Sequence, residues 1–559
     1  MWPVASPTRP DDAPIQAPQP LEGHSARSRS FWRMLGVIVG LGLLVRGAHI
    51  LASDFPLNDG GLFYAMARDI QASHYVLPTV TSYNGAQIPF AYPPLGFYLA
   101  ALLDDWTPFA LIDLFRVLPL LYSTLTIAAF ALLARRLLAS DRAALLATAA
   151  FALVPRSFIW LLMGGGVARG LGLLLALLAL HEVHRLYTTG HRRYIVSAAL
   201  LSAGTLLAHL ETAWFLAFSI GICFAAYGRT REQLLNSAVL AASAAMLAAP
   251  WWLTAMTSNG LVPFRYANAA GGSVFTTAAL ARELLLALAR VTSTSEPLFP
   301  LIGALGLLGA VIAIRTRHVV LPIWWVAIIL LDARAFPTFA TIPVAMLAGL
   351  ALERVVLPLG RSADTRTAFA RDLNWRRLAR GSTLIGAVLL SYAVMGALLR
   401  TPGLGGEGHF LTGLTPAERS TFEWIESNTP ETSRIFVVPS GPWQADREAE
   451  WLPVLASRVS VTTVQGSEWT ARFATQAAAA DRAWTCGYRQ SDCLTQWSDD
   501  FNSTITHVYI PTTERGQCCG SLLESLRQSS HYTVVHEGAG GTIFAVRGAT
   551  FPSPPLQSR

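Results

Sequence analysis

The chain has 559 residues, of which 52% are hydrophobic and only 14% charged, and its 42 basic residues, all arginine, outnumber 35 acids for a formal net charge of +7. Soluble domains carry about 25% charged residues, so this balance, with a mean hydropathy of +0.41, excludes one small soluble domain and points to a polytopic membrane protein. The positive surplus is no nucleic-acid signature, because the arginines lie in short loops between apolar runs, where they set topology.

Residues 1–30 are rich in Pro, Ser, Asp and Arg and read as a disordered tail. The tail is long and no small-residue cleavage site follows it, so a cleaved signal peptide is not expected. Arg27, Arg29 and Arg33 flank a first span at about 31–52, which puts the N-terminus in the cytoplasm and the loop 53–112 outside. That loop opens with DFPLNDGGLFYAMARD (54–69), where Asp59 sits beside a glycine pair at the start of a short helix. An ionisable group held at a bilayer face tends to be functional; its plainer role here is a helix N-cap, for which Asp is favoured. Asp54 reads as an interface residue, and Asp69, next to Arg68, as a surface one. Further along the loop comes AYPPLGFYL (91–99), whose Pro93-Pro94 pair suits a first helical turn and starts a surface helix over 92–104.

Ten more spans follow near 113–135, 143–162, 171–187, 195–209, 212–227, 236–254, 298–314, 319–333, 337–357 and 382–400. Each approaches the ~20 apolar residues that cross a bilayer. The clusters Arg135/Arg136/Arg142, Arg185/Arg192/Arg193, Arg229/Arg231, Arg315/Arg317 and Arg354–Arg380 then all fall on one side. Eleven spans send the C-terminal region outside. A second outer loop, about 256–297, contains the amphipathic stretch TTAALARELLLALARV, expected along the interface. His209 and Glu211, in LLAHLETAWF, lie where one span exits and the next returns. They either line a site, with room for a divalent ion, or form a structural hydrogen-bond pair near the headgroups; two ligands alone do not make a metal site.

From about 401 to 559 charge rises, and RIFVVPS (434–440), THVYIPT (506–512) and TIFAVRG (542–548) read as strands among helical patterns. TPAERSTFEWIESN (415–428) opens with a capping box from Thr415 and Glu418. The region is expected to be a compact extracytoplasmic α/β domain. Its four cysteines suit an oxidising compartment. Cys486–Cys493 is the more natural local bridge, and a bond between adjacent Cys518 and Cys519 would be strained, so connectivity stays open. Cys223, in an apolar run, reads as a core residue.

One long first span, an external acid at the head of a short helix in LNDGGLFYAMARDI, and then Tyr92-Pro93-Pro94-Leu95 resemble GT-C glycosyltransferases of the protein O-mannosyltransferase and aminoarabinose transferase type. The resemblance covers about 31–400, the expected transmembrane domain. It implies a membrane enzyme moving a sugar from a polyprenyl-phosphate donor to an extracytoplasmic acceptor (protein, lipid or polysaccharide), with Asp59 as general base and Tyr92 near the substrate. Two departures stand out: the usual acid pair is Asp59-Gly60, and the loop that often carries another acid reads MGGGVARG (163–170). The WWDYG-type motif of oligosaccharyltransferases is missing, which argues against N-linked transfer. The departing phosphate needs a cation, and Arg169, Arg265 and Arg334 lie at outer span ends, where each either touches phosphate or merely snorkels. Arg169 is favoured by the glycines before it, and Arg334 has Asp332 as an alternative partner. Glu450-Trp451 and Glu468-Trp469 have the make-up of sugar-binding acid–aromatic pairs, or of half-buried core positions; through them the C-terminal domain would read the acceptor or close over the site. A lipid-linked-sugar transporter and a non-catalytic glycan-binding membrane protein are the alternatives from other classes; a transporter would tend to show broken spans in two related halves, and none are visible.

Overall fold

The computed structural model describes residues 22–270, 294–332, 335–359, 375–399, 411–439, 441–512 and 518–549. Arg334 and the stretch 276–291 lie outside the described residues. The first helix runs Glu22–Leu51, so residues 22–30 of the expected tail are helical. Among the described residues six helices are individually long and apolar enough to cross a membrane. Two helix pairs bent by 81° and 60° bring the number to eight, and three shorter apolar helices, Arg193–Ala208, Leu301–Arg315 and Val320–Leu331, complete the pattern. At 1.5 Å per residue, the shortest of these is well under a bilayer's thickness.

The expected spans 143–162 and 236–254 fall on these bent pairs. Helix Asp141–Leu153 stops before Pro155 and resumes as Ile159–Leu162; Arg231–Leu247 stops before Pro250 and resumes as Ala249–Asn259. Proline removes a backbone N–H and clashes with the preceding turn, and a broken span exposes carbonyls that lipid cannot satisfy. At the first bend the need is met by Arg46, fully buried on the first helix. It donates to the Phe151 and Ala152 carbonyls (3.3 and 3.4 Å) and to Ser157 Oγ (3.2 Å), and also to Ser123. The guanidinium thereby fastens the first helix and Leu111–Leu137 to the elbow.

Contacts join several of the Arg-rich loops: Ser140 donates to Glu353, and Arg192 pairs with Glu232. At the other end of the bundle lie the helix Gly61–Ala72, a two-stranded ribbon of β1 (Val80–Thr81) and β2 (Ile88–Pro89), and the helix Leu95–Trp106, which begins at Leu95 rather than at 92, with Pro94 as its N-cap rather than inside the first turn.

The C-terminal region folds around a five-stranded sheet of order β4-β3-β5-β7-β6, where β3 is Arg434–Val437, β4 Val459–Ser460, β5 His507–Pro511, β6 Tyr532–Gly538 and β7 Gly541–Val546. β3, β4 and β5 are parallel and β7 and β6 antiparallel. Alternation along the strands makes two cores. Phe436, Val508 and Phe544 face helices Phe473–Cys486 and Asp492–Asp500. Ile435, Val437, Tyr509 and Ile543 face the opposite way, onto Phe422, Ile425, Trp451 and Phe55. Phe55 belongs to the first loop, so this second core joins the sheet to the membrane-embedded part. The capping box at Thr415 and Glu418 is present.

Candidate active site

The loop 57–61 is held from two sides. From the helical bundle, Leu57 bridges to Met163 and its carbonyl accepts from Gly164 N (2.9 Å). From the C-terminal region, Thr412 O accepts from Asn58 N (2.8 Å), Gln444 O accepts from Asn58 Nδ2 (3.0 Å), and Trp451 Nε1 donates to Asn58 O (3.0 Å). The chain then turns through Gly60, whose φ of 125° is one that side chains rarely adopt. Helix Gly61–Ala72 follows without a side-chain cap of its own. Its leading N–H groups go to a residue far along the chain: Gly60 N and Gly61 N both donate to Glu450 Oε1, at 2.8 and 3.0 Å.

Asp59 is therefore not the N-cap, and its carboxylate points elsewhere. Oδ1 accepts from Gly165 N (2.8 Å) and Arg169 Nη2 (3.1 Å), and Oδ2 accepts from Arg169 Nη1 (2.7 Å). This two-pronged pairing matches the planar guanidinium to a carboxylate and is among the stronger polar contacts available. It requires the backbones to meet closely: a Cβ on Gly164 would lie 2.1 Å from Asp59 O, and one on Gly166 2.0 Å from Leu161 O. The MGGGVARG sequence thus brings the head of helix Gly166–Thr189 up to the acid. Arg169 also lies over Trp160, 4.9 Å from the ring centroid. Its side chain is 9% exposed and that of Asp59 20%, so the pair is sheltered but open on the acid's side.

From Trp160 a row of rings leads away. Trp160 meets His209 (6.1 Å), His209 meets Tyr92 (6.1 Å), and Tyr92 meets Trp469 (5.7 Å) and Phe63 (4.8 Å). Tyr92, Arg169 and His209 are in this way brought into one neighbourhood with Asp59. His209 caps the helix Leu210–Tyr227, its Nδ1 accepting from Thr212 N (3.3 Å); a ring nitrogen that accepts leaves Nε2 to carry the proton. Glu211 is half-buried in the first turn of the same helix. Among the described residues no group of three or more His, Cys, Asp or Glu side chains converges to hold a metal ion.

Other expected residues sit differently. Arg265 is exposed on helix Val262–Ala270 and is not one of the groups on Asp59. Asp332 accepts from Ala335 N (2.9 Å). Asp69 accepts from Thr81 Oγ1 and Ser82 N (2.6 and 2.9 Å), so it anchors the ribbon rather than facing Arg68. Asp54 pairs with Arg419 of the C-terminal region. Trp451 is fully buried, edge-on to Phe55 at 4.7 Å, and offers no face to a sugar. Trp469 is 6% exposed between Tyr92 and Phe264 (5.9 Å), so its ring too is committed to packing, with Glu468 half-buried beside it. Glu450 is also buried and serves the backbone. Cys486 is bonded to Cys493, and the adjacent Cys518 and Cys519 are bonded to each other, the pairing judged strained from sequence.

Burial pushes the Glu450 carboxyl up to about 8; the charge of Asp59 adds to the rise, while the Gly60 and Gly61 N–H groups and Arg169 oppose it. Sequence reasoning missed this carboxyl's closeness to Asp59, the Gly165 donor and Trp160. Only the run of glycines hinted at a close approach.

No family model and no curated protein matches the chain. Among solved structures it is similar to the archaeal oligosaccharyltransferase AglB from Archaeoglobus fulgidus, in complex with an inhibitory peptide and a dolichol-phosphate, with TM-score 0.59 and 14% identity over 87% of this chain and 70% of that one. It is similar to ArnT from Cupriavidus metallidurans bound to undecaprenyl phosphate, with TM-score 0.54 and 16% identity over 92% and 99%. The arabinofuranosyltransferase AftD from Mycobacteria gives TM-score 0.53 and 17% identity over 92% of this chain and 41% of that one. The fold is that of the GT-C membrane glycosyltransferases, as the resemblance implied.

Proposed function

We propose that this chain is an integral membrane glycosyltransferase that moves a sugar from a polyprenyl-phosphate carrier to an acceptor on the non-cytoplasmic face, with Asp59 as general base. The observation that carries the proposal is the Asp59–Arg169 pair, formed between loop 57–61 and the first turn of helix Gly166–Thr189. Two proteins that share the fold were solved with dolichol-phosphate and undecaprenyl phosphate. Charge supports this orientation: Arg-rich loops lie at the end opposite Asp59, and such loops favour the cytoplasmic side of a membrane.

In the reaction an acceptor oxygen or nitrogen bonds to the anomeric carbon, the bond from that carbon to the phosphate oxygen breaks, and the acceptor's proton goes to Asp59. A base must be within hydrogen-bond reach of that proton, and Oδ2, which accepts once from Arg169, keeps a second lone pair for it. The departing phosphate carries the negative charge and draws on Arg169, so donor binding loosens the cation's hold on Asp59. Tyr92 and His209 flank the approach.

The test is D59N in proteoliposomes supplied with radiolabelled polyprenyl-phosphate sugar, with donor binding measured separately. Loss of a general base costs about 10²–10⁴-fold, so transfer should fall at least that far while donor binding persists. Transfer at the wild-type rate would remove Asp59 as base. A transporter or a glycan-binding protein would show no transfer in the wild type either.

A further inference from the structure

We infer that the C-terminal α/β region is a built-in part of the active site, with Glu450 as the positioning residue that keeps Asp59 turned toward Arg169. This rests on the reading of Asp59 given above. Loop 57–61 donates hydrogen bonds to Thr412 O, Gln444 O and Glu450 Oε1 and accepts one from Trp451 Nε1, all of the C-terminal region. Tyr83 of the same outer loop donates to Glu450 O (2.7 Å), which fixes the segment from below. A Cβ on Gly61 would lie 2.6 Å from that carbonyl, so the two backbones are in direct contact.

The reason such a residue is needed lies in local chemistry. An Asp two residues before an N–H group tends to bend back and accept from it, as in Asx turns. Here Asp59 stands two residues before Gly61, at the open head of a helix whose first N–H groups need acceptors. Left alone, its carboxylate would satisfy Gly61 N and turn away from Arg169. Glu450 Oε1 occupies that position instead, taking both Gly60 N and Gly61 N. Glu450 is 3% exposed, so water does not substitute for it. Glu450 acts on this loop through Oε1 as an acceptor, and a neutral side chain of the same shape should serve.

The experiment compares E450Q, which keeps the oxygen, with E450M, which fills the same space without an acceptor. Both are measured in the full-length protein for thermal unfolding, kcat and donor KM, with D59N in parallel. E450Q should stay within about 5-fold of the wild-type kcat, and E450M should lose about 30–100-fold in kcat with donor KM within about 2-fold, the signature of a misplaced catalytic group. Wild-type kcat in E450M overturns the inference, and so does equal loss in both variants, which would make the carboxylate itself a reactant or sugar ligand. If E450M does not accumulate folded, E450Q decides alone: retained kcat supports the inference and loss overturns it. Unimpaired D59N overturns the reading of Asp59 and this inference with it, whereas an inactive D59N beside a fully active E450M overturns the inference alone.

Discussion

Replacing Arg169 probes the pair at the centre of the proposed chemistry. Its two contacts to Asp59, 2.7 and 3.1 Å, depend on the two Nη atoms lying in one plane. Lysine keeps the charge but offers a point contact, so R169K forfeits one charge-assisted hydrogen bond. Such a bond contributes ~1.5–3 kcal/mol when buried, and with the Asp59 side chain 20% exposed a discount to about 1–2 kcal/mol is appropriate. That corresponds to about 5–30-fold in kcat/KM. R169M removes every donor and leaves Asp59 with Gly165 N, so its loss should reach about 10²–10³-fold. The assay is transfer from radiolabelled polyprenyl-phosphate sugar in proteoliposomes over a range of donor concentrations, with thermal unfolding as the check on folding. Because the same cation is proposed to meet the departing phosphate, donor KM should rise in both variants while kcat falls. R169K matching the wild type, or R169M losing no more than R169K, would refute the reasoning.

Gly60→Ala tests the turn behind the acid. Its φ of 125° and the Cβ contacts of 3.1 Å to Gly164 Cα and 3.2 Å to Trp451 leave an alanine both strained, at a cost of ~1–3 kcal/mol, and crowded, so G60A should lose transfer while Gly47→Ala, whose Cβ meets only Leu120 at 4.0 Å, should not. The pH dependence of stability follows from the buried acids of the C-terminal region. Burial pushes Glu448 and Glu450 up to about 8 and Asp446 up to about 7, against ordinary values near ~4 in the unfolded chain. Between those limits the folded form holds protons that the unfolded form has released, so stability is fully present at acid pH and declines as pH rises toward 8. The Tm of the detergent-purified protein should fall by several degrees, roughly, from pH 5.5 to 8.5, and E448Q should flatten the slope; a level profile in the wild type would contradict the assignment.

That the chain is a bundle of apolar helices followed by a sheet-containing region was legible in its residues. Runs of apolar residues and the alternation of Arg-rich loops are local properties, and a bilayer demands length and composition without regard to partners. The capping box at Thr415, the strands over 434–437, 507–511 and 541–546, and the helix after Pro94 were equally local. The elbows at Pro155 and Pro250 were not read from the sequence, and the first of them is held by Arg46 reaching across from another helix. The sequence placed Asp59, Arg169, Tyr92 and His209 at one face; which of them meet was a tertiary matter. Asp alone beside a helix start is equally a cap or a base, because propensity describes a residue's neighbours along the chain and nothing else. The choice was made by Glu450, 390 positions beyond Gly60, which took the cap and left Asp59 to the arginine. Trp451 and Trp469 show the converse: an acid–aromatic pair has one composition whether it meets sugar or core, and only burial against Phe55 and Tyr92 separates the two.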